Sequence, residues 1–296
     1  MTRFSRSCYF EKVVHIPDGF LATPVWATLD VAAAPAVAYL ARRAQRSLEE
    51  NKVPLLGVLG AFVFAAQMIN FPVGPGTTGH LVGGALLAFT LGPAPASVVM
   101  AAILAIQALV FQDGGILALG ANITNMAVMG VLAGYLPFHI WGATKWRRFS
   151  LFAGGALSVL VSACLALAEL LISGVRMPPS ILGVSLGLFT VSAILEGLIT
   201  LAVMQALERI QPKTARHPQP GRSPALAAVA LTAVLLATVG VLFAAGGPDG
   251  IEKLLNLHPA SLHATFLGQA SAGIFGLVLI YGACLVIGRV ARHRSL

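Results

Sequence analysis

The sequence predicts an all-α polytopic membrane protein: a seven-helix bundle followed by a smaller two-helix unit. Three observations carry this. Only 10% of the 296 residues are charged and 57% are hydrophobic, with a mean hydropathy of +0.85, whereas a soluble domain is roughly a quarter charged. Apolar runs recur at 24–41, 54–70, 79–92, 94–112, 116–136, 149–172, 181–207, 225–244 and 265–288, most of them near the ~20 residues that cross a bilayer. The basic residues gather in alternate connections between these runs.

Taken in order, the first run carries Ala32/Ala36 and Ala34/Ala38, small residues four apart that let a neighbouring helix approach closely. Its stripe suits the bundle interior or another subunit equally well. The second run ends in Gln67 and Asn70, and the third and fourth are separated by Gly92-Pro93-Ala94-Pro95, a tight turn or a kink. Asn122 and Asn125 interrupt the fifth run, while Glu169 and Glu196 sit in the next two. Residues 209–224, rich in Pro, Arg, Gln and His, read as a flexible linker. The two-helix unit follows at 225–296, with Gly247-Pro248-Asp249-Gly250-Ile251-Glu252 between its helices.

Charge placement sets the orientation. With the start of the first span outside, the inner connections hold Arg42, Arg43, Arg46, Lys52, Lys145, Arg147, Arg148, Arg209, Lys213, Arg216, Arg222, Arg289, Arg292 and Arg294. The outer connections hold Arg176 and Lys253. This is the split that the positive-inside rule requires. It places His15–Gly19 and Asn70–His80 on the external side of a cell membrane.

Several function classes are excluded by what the chain contains. The net charge of +8 does not point to nucleic acid, because the basic residues lie in short clusters between apolar runs. Cys8, Cys164 and Cys284 have no pairing pattern, and the latter two read as small packing residues. No phosphate-cradling G-x-x-x-x-G-K-[ST] loop is present, so nucleotide hydrolysis in any uphill transport belongs to another chain. No catalytic triad or carboxylate pair converges on one loop, and an enzyme is not expected.

What remains is histidine and buried amides. His15 and His80 fall on one side, each in Gly/Pro-rich sequence that pins the backbone, and imidazole is the commonest metal ligand. An interfacial histidine bonded to backbone or water is the ordinary alternative for either one. Gln67, Asn70, Gln107, Asp113, Asn122 and Asn125 cluster in the outer halves of consecutive helices. Polar groups in hydrocarbon must find partners, so these residues form either a polar layer beneath an external site or a network that joins helices. His139, His217 and His293 are expected to be unremarkable, and His258 and His263 lie on the external side of the two-helix unit.

Four motifs, in order, are Val14-His15-Ile-Pro-Asp-Gly-Phe-Leu21, Gln67-Met-Ile-Asn70-Phe-Pro-Val, Gly79-His80-Leu-Val-Gly-Gly84 and Asp113-Gly-Gly-Ile-Leu-Ala-Leu-Gly-Ala-Asn122. Over about residues 14–208 the chain resembles the CbiM/NikM family, membrane substrate-capture (S) components of energy-coupling-factor transporters for cobalt or nickel. The unit at 225–296 resembles the PDGLE-type accessory domain, with Ile251 where Leu is usual. The resemblance implies Ni²⁺ or Co²⁺ as transported substrate, no resident cofactor, and a transmembrane coupling (T) subunit and cytoplasmic ABC-type ATPases as partners. It also implies a metal held by the amine and backbone of Val14-His15, the His15 imidazole and His80, with Gln67 and Asn70 orienting them. An amine, a deprotonated amide and imidazoles in short chelate rings place nitrogens near one plane, which suits Ni²⁺ or Cu²⁺.

The chain departs from the family in carrying thirteen residues before Val14, so that an internal Val14 offers no free amine. The expectation is that residues 1–13 are a misassigned start, with Val14 initiated as methionine from a GTG codon. The main rival is a stand-alone secondary metal transporter or exchanger, which needs ionisable residues paired at mid-depth. Glu169 with Glu196 is the pair available for that role.

Overall fold

A computed structural model describes residues 15–47, 53–74, 77–210, 224–238, 274–284 and 286. Residues 1–13, Val14, most of the linker and the loop with Pro248-Asp249-Gly250 lie outside the described residues, as do His217, His258, His263 and His293.

The chain runs α1 (Thr23–Ser47), α2 (Val53–Gln67), a hairpin of β1 (Asn70–Gly74) and β2 (Thr77–His80), α3 (Gly84–Leu91) and α4 (Pro93–Ile106). Next come α5 (Leu119–Asn122), α6 (Val131–Trp141), α7 (Arg147–Ile172), α8 (Pro179–Ile210) and α9 (Pro224–Thr238), and then α10 (Ile274–Cys284). Two π-helical stretches interrupt this pattern: Gln107–Phe111 prolongs α4, and Ile123–Gly130 joins α5 to α6. Among the described residues, five helices are long and apolar enough to cross a membrane: α1, α4 with its extension, the stretch Leu119–Trp141, α7 and α8. The chain is an all-α membrane protein, and large apolar side chains such as Val31, Leu132, Ile172 and Leu198 face outward.

The sequence predicts a span over 79–92, and here the structure differs. Strand β2 ends at His80, and α3 has only eight residues, about 12 Å at 1.5 Å per residue. Gly92 (φ 88) closes α3 by donating its N–H to the Ala88 carbonyl, and Pro93 starts α4 immediately. Gly92-Pro93 is therefore a tight turn. The connection between the second and third runs pairs as an antiparallel hairpin with Asn70 opposite His80.

Between helices, lipid gives no hydrophobic drive, and close contact does the work. A Cβ built on Gly154 of α7 would fall 2.3 Å from the Gly134 carbonyl of α6, and one on Gly155 would fall 3.0 Å from Gly197 of α8. Helix α10 packs on α2 in the same way, a Cβ on Gly276 meeting the Phe64 ring. Cys284 is buried there as expected, but Cys164 is exposed on α7, so only one of the two is a packing residue. Of the small residues of α1 left open by sequence, Ala32, Ala34 and Ala38 are exposed and Ala36 is half-buried, while Ala33 is buried.

Candidate metal centre

The site begins with a short chain segment that has almost no regular structure of its own. Residues 15–18 are fixed by the stretch 113–122. The Ile16 N–H donates to Asn122 Oδ1 at 2.9 Å, and Asn122 Nδ2 donates back to the Ile16 carbonyl at 3.1 Å. One side-chain amide thus pairs a backbone unit as a strand neighbour would. The Ile16 carbonyl also accepts the Gly115 N–H at 2.9 Å. Asp18 accepts from the N–H groups of Ile116 (3.1 Å) and Leu117 (2.8 Å), and Asp30 on α1 accepts from Gly120 at 2.6 Å. Gly114 (φ 87) and Gly115 make the approach feasible, since a Cβ on Gly115 would fall 2.6 Å from the Asp18 backbone nitrogen. Beneath this strap, the Ile16 side chain is wholly buried among Ala118, Ala121, Ala163, Leu167 and Leu170.

His80 arrives from the other direction and is held from within the bundle. Glu196 on α8 accepts the N–H groups of Val82 (2.8 Å) and Gly83 (2.9 Å) with its two oxygens. Gln67 Nε2 donates to the Val82 carbonyl at 2.7 Å, and Gln107 Nε2 donates to Gln67 Oε1 at 2.9 Å. A carboxylate at two consecutive N–H groups just before α3 also sits at the positive end of that helix. Glu196 therefore has its partners in backbone N–H groups, where sequence could assign none. Glu169 accepts from Asn125 Nδ2 at 2.8 Å, so the two glutamates are engaged with separate partners.

These two supports bring the imidazoles together. His15 and His80 are each 3% exposed, with ring centroids 6.0 Å apart and planes tilted by 54°. A ring nitrogen binds a transition metal at about 2 Å, so two imidazoles on one ion have centroids about 4.5 Å apart when adjacent and a little over ~6 Å apart when opposite. The observed separation is at the upper end of that range, and adjacent ligation needs the rings to close by about 1.5 Å. His80 Nδ1 lies 2.8 Å from the Leu81 carbonyl and must donate to it, so in the neutral ring Nε2 carries the lone pair. His15 Nδ1 faces Asp113 Oδ1 at 3.4 Å, and His15 Nε2 is buried without a hydrogen-bond partner.

Burial lowers the His15 pKa to about 3. Burial, and secondarily the neighbouring His15, lower that of His80 to about 4 against the raising effect of its bond to Leu81. Both rings are accordingly neutral near pH 7, the form that ligates metal. Among the described residues, no group of three or more His, Cys, Asp or Glu side chains has the arrangement of a metal cage. Two imidazoles alone make half of a four-coordinate set.

Of the residues singled out by sequence, His15, His80 and Gln67 share this region. Val14 lies outside the described residues, and Asn70 contributes its backbone position opposite His80. Gln67 and Gln107 bond each other behind His80, Asp113 and Asn122 face the His15 segment, and Asn125 bonds Glu169. Both π-helical stretches adjoin these groups: Gln107 opens the first, and Asn122 immediately precedes the second. Such bulges re-aim side chains locally. Sequence reasoning did not find the roles of Asp18, Asp30 and Glu196. For Asp18 the available signal was a lone carboxylate inside a rigid Pro-Asp-Gly turn.

Comparison with known proteins shows the family. A family profile described as the cobalt uptake substrate-specific transmembrane region, CbiM, matches residues 15–214. The "Putative fused nickel transport protein NikMN" of Archaeoglobus fulgidus is 31% identical over 304 residues, covering 94% of this chain and 99% of that protein. The "Cobalt transport protein CbiM" of Acetoanaerobium sticklandii is 32% identical over 212 residues, covering 68% of this chain and 87% of that one. The crystal structure of a truncated transition metal transporter superposes with a TM-score of 0.59 at 33% identity, covering 66% of this chain and 99% of its own. The chain therefore belongs to the CbiM family of cobalt and nickel uptake transmembrane proteins.

Proposed function

We propose that this chain is the membrane capture subunit for Ni²⁺ or Co²⁺, with the metal bound near the external surface between residues 14–15 and His80. The carrying observation is the pair of buried, neutral imidazoles at 6.0 Å, each on a segment independently tied down. Val14 supplies an amine when it is the first residue of the mature chain, residues 1–13 being a misassigned start. The His15 amide and imidazole and the His80 imidazole complete four nitrogens, an arrangement suited to Ni²⁺. Gln67 acts through Val82 on the position of His80, and Asn70 is its cross-strand neighbour.

Residues 14–208 form the capture domain, 209–224 a cytoplasmic linker and 225–296 a PDGLE-like accessory domain. A transmembrane coupling subunit and ABC-type ATPases supply the drive, and the Ala32/Ala36 stripe of α1, exposed at Ala32 and half-buried at Ala36, is the proposed contact. The rival, a secondary exchanger using Glu169 and Glu196, is disfavoured because Glu196 already satisfies two backbone N–H groups.

Uptake of radioactive Ni²⁺ and Co²⁺ into vesicles tests the reading. The chain alone is expected to bind metal without concentrating it, and concentration should require the coupling subunit, the ATPases and ATP. Accumulation by the chain alone under a proton gradient would establish the exchanger instead.

A further inference from the structure

At the end of the bundle remote from the histidines lies a cavity of about 510 Å³, lined by Lys145, Arg147, Arg148, Leu151, Gln205, Glu208 and Arg209. It occupies the space between the α6–α7 turn and the last turn of α8. Its distance from the metal centre follows from α7. Arg147 starts this 26-residue helix, about 39 Å long, while the residues that pack beneath Ile16 belong to its C-terminal half.

The lining sets four cations against one carboxylate, and that carboxylate is already used. Glu208 pairs with the Arg147 guanidinium, which also donates to the Gly142 carbonyl at 3.1 Å and lies over the Phe138 ring at 4.9 Å. Arg147 is thereby a fixed wall. Lys145 Nζ sits 5.9 Å from the Trp146 ring centroid. Arg148 and Arg209 have no acceptor among the described residues, although both line the cavity. The first residues of α7 face the same space, so the positive end of its dipole adds to the field.

The surroundings indicate where an anion would come from. Trp141, Trp146 and Phe149 are 39%, 54% and 51% exposed beside the cavity, the amphipathic aromatic collar found where hydrocarbon meets headgroups. Exposed Ile140 and Leu136 continue the apolar surface along α6. A cavity of this size accepts a small polar molecule, and guanidinium forks match phosphate oxygens in pairs. We propose that this cavity binds the phosphate of an acidic phospholipid headgroup, with Arg148 and Arg209 as its direct ligands and the acyl chains lying along the exposed face of α6.

The test is native mass spectrometry of the full chain in detergent, titrated separately with phosphatidylglycerol, phosphatidylcholine and inorganic phosphate. The comparison proteins are R148Q/R209Q and R42Q/R46Q, the latter removing the same charge from exposed positions on α1 outside the cavity. Phosphatidylglycerol is expected to be retained by the parent and by R42Q/R46Q, and at least tenfold less by R148Q/R209Q. Phosphatidylcholine and phosphate should bind at least tenfold more weakly than phosphatidylglycerol throughout. Nickel binding by R148Q/R209Q should equal that of the parent, which shows that the variant is folded. Equal retention of phosphatidylglycerol by the two double variants would overturn the site. Phosphate binding as tight as that of the lipid would overturn the headgroup assignment.

Discussion

The segment that carries His15 is held by the loop beside it, whereas the segment that carries His80 is held from inside the bundle. Around His15 the supporting groups are Asp18, the glycines at 114–115 and Asn122 at the end of the short α5. Around His80 they are Glu196 of α8, Gln67 of α2 and, behind it, Gln107 of α4. The first support can be loosened without separating helices. The second shares its hydrogen bonds with helix packing, so disturbing it should cost stability as well as metal. The difference teaches that one binding site can be built from a local clasp and a global one.

The largest expected effect leaves both supports intact and removes a donor. His15→Ala and His80→Ala should each lower nickel affinity by more than about 100-fold, since loss of a supporting group alone typically costs 10–100-fold. His15→Ala should be at least as damaging, and His217→Ala in the linker should have no effect. Calorimetry on detergent-purified protein measures all three.

The next pair separates the two supports. Asn122→Leu removes the two hydrogen bonds that its amide makes to Ile16 and should weaken metal binding by about 10–100-fold. Because the freed strap can detach into water, where its N–H is solvated, the thermal midpoint should fall less than for a defect inside the bundle. Glu196→Gln keeps one acceptor oxygen and leaves one buried N–H without a partner, at about 1–3 kcal/mol. It should lower the thermal midpoint more than Asn122→Leu does and weaken nickel binding less. If the two variants proved indistinguishable in both measurements, the local–global contrast would be wrong.

A finer probe is Gly115→Ala. Its Cβ would meet the Asp18 backbone nitrogen at 2.6 Å, so the strap must shift. Affinity is expected to fall by about tenfold in calorimetry, with the helices still inserted.

The smallest change is expected from pH. Both imidazoles have lowered pKa values, about 3 and about 4, so their NMR signals should not titrate between pH 5.5 and 8. Because the unfolded histidines protonate near 6.5 and the folded ones do not, stability is fully present above 6.5. It is lost as pH falls from 6.5 towards 4. A midpoint near 6.5 in the folded protein would place these rings in water and remove the basis of the site.

Much of this was legible in the sequence, for identifiable reasons. Long apolar runs fold as spanning helices, and α7 and α8 follow theirs within three residues at each end, while α1 continues six residues past its run to Ser47. The third run was misread because hydropathy does not register a carboxylate arriving from 113 residues away to cap Gly83. His15 and His80 were legible because rare polar residues in Gly/Pro-rich settings stand out against apolar sequence. Asp18 and Asp30 were not, because their partners are backbone N–H groups of a distant segment, which leave no mark in residue type. The outward face of the α1 alanines likewise needed the fold, since a small-residue stripe looks the same on either side of a helix.

The central claim is that His15 and His80 bind one metal ion together with backbone nitrogens. X-ray absorption spectroscopy of the nickel-loaded protein tests it most directly, on material whose N-terminus has been read by intact-mass measurement. The account predicts a chain beginning at residue 14 and a four-coordinate, near-planar nickel with an all-nitrogen shell and the multiple scattering of two imidazoles. A six-coordinate, oxygen-dominated nickel without imidazole scattering, or a mature chain that retains residues 1–13, would contradict it.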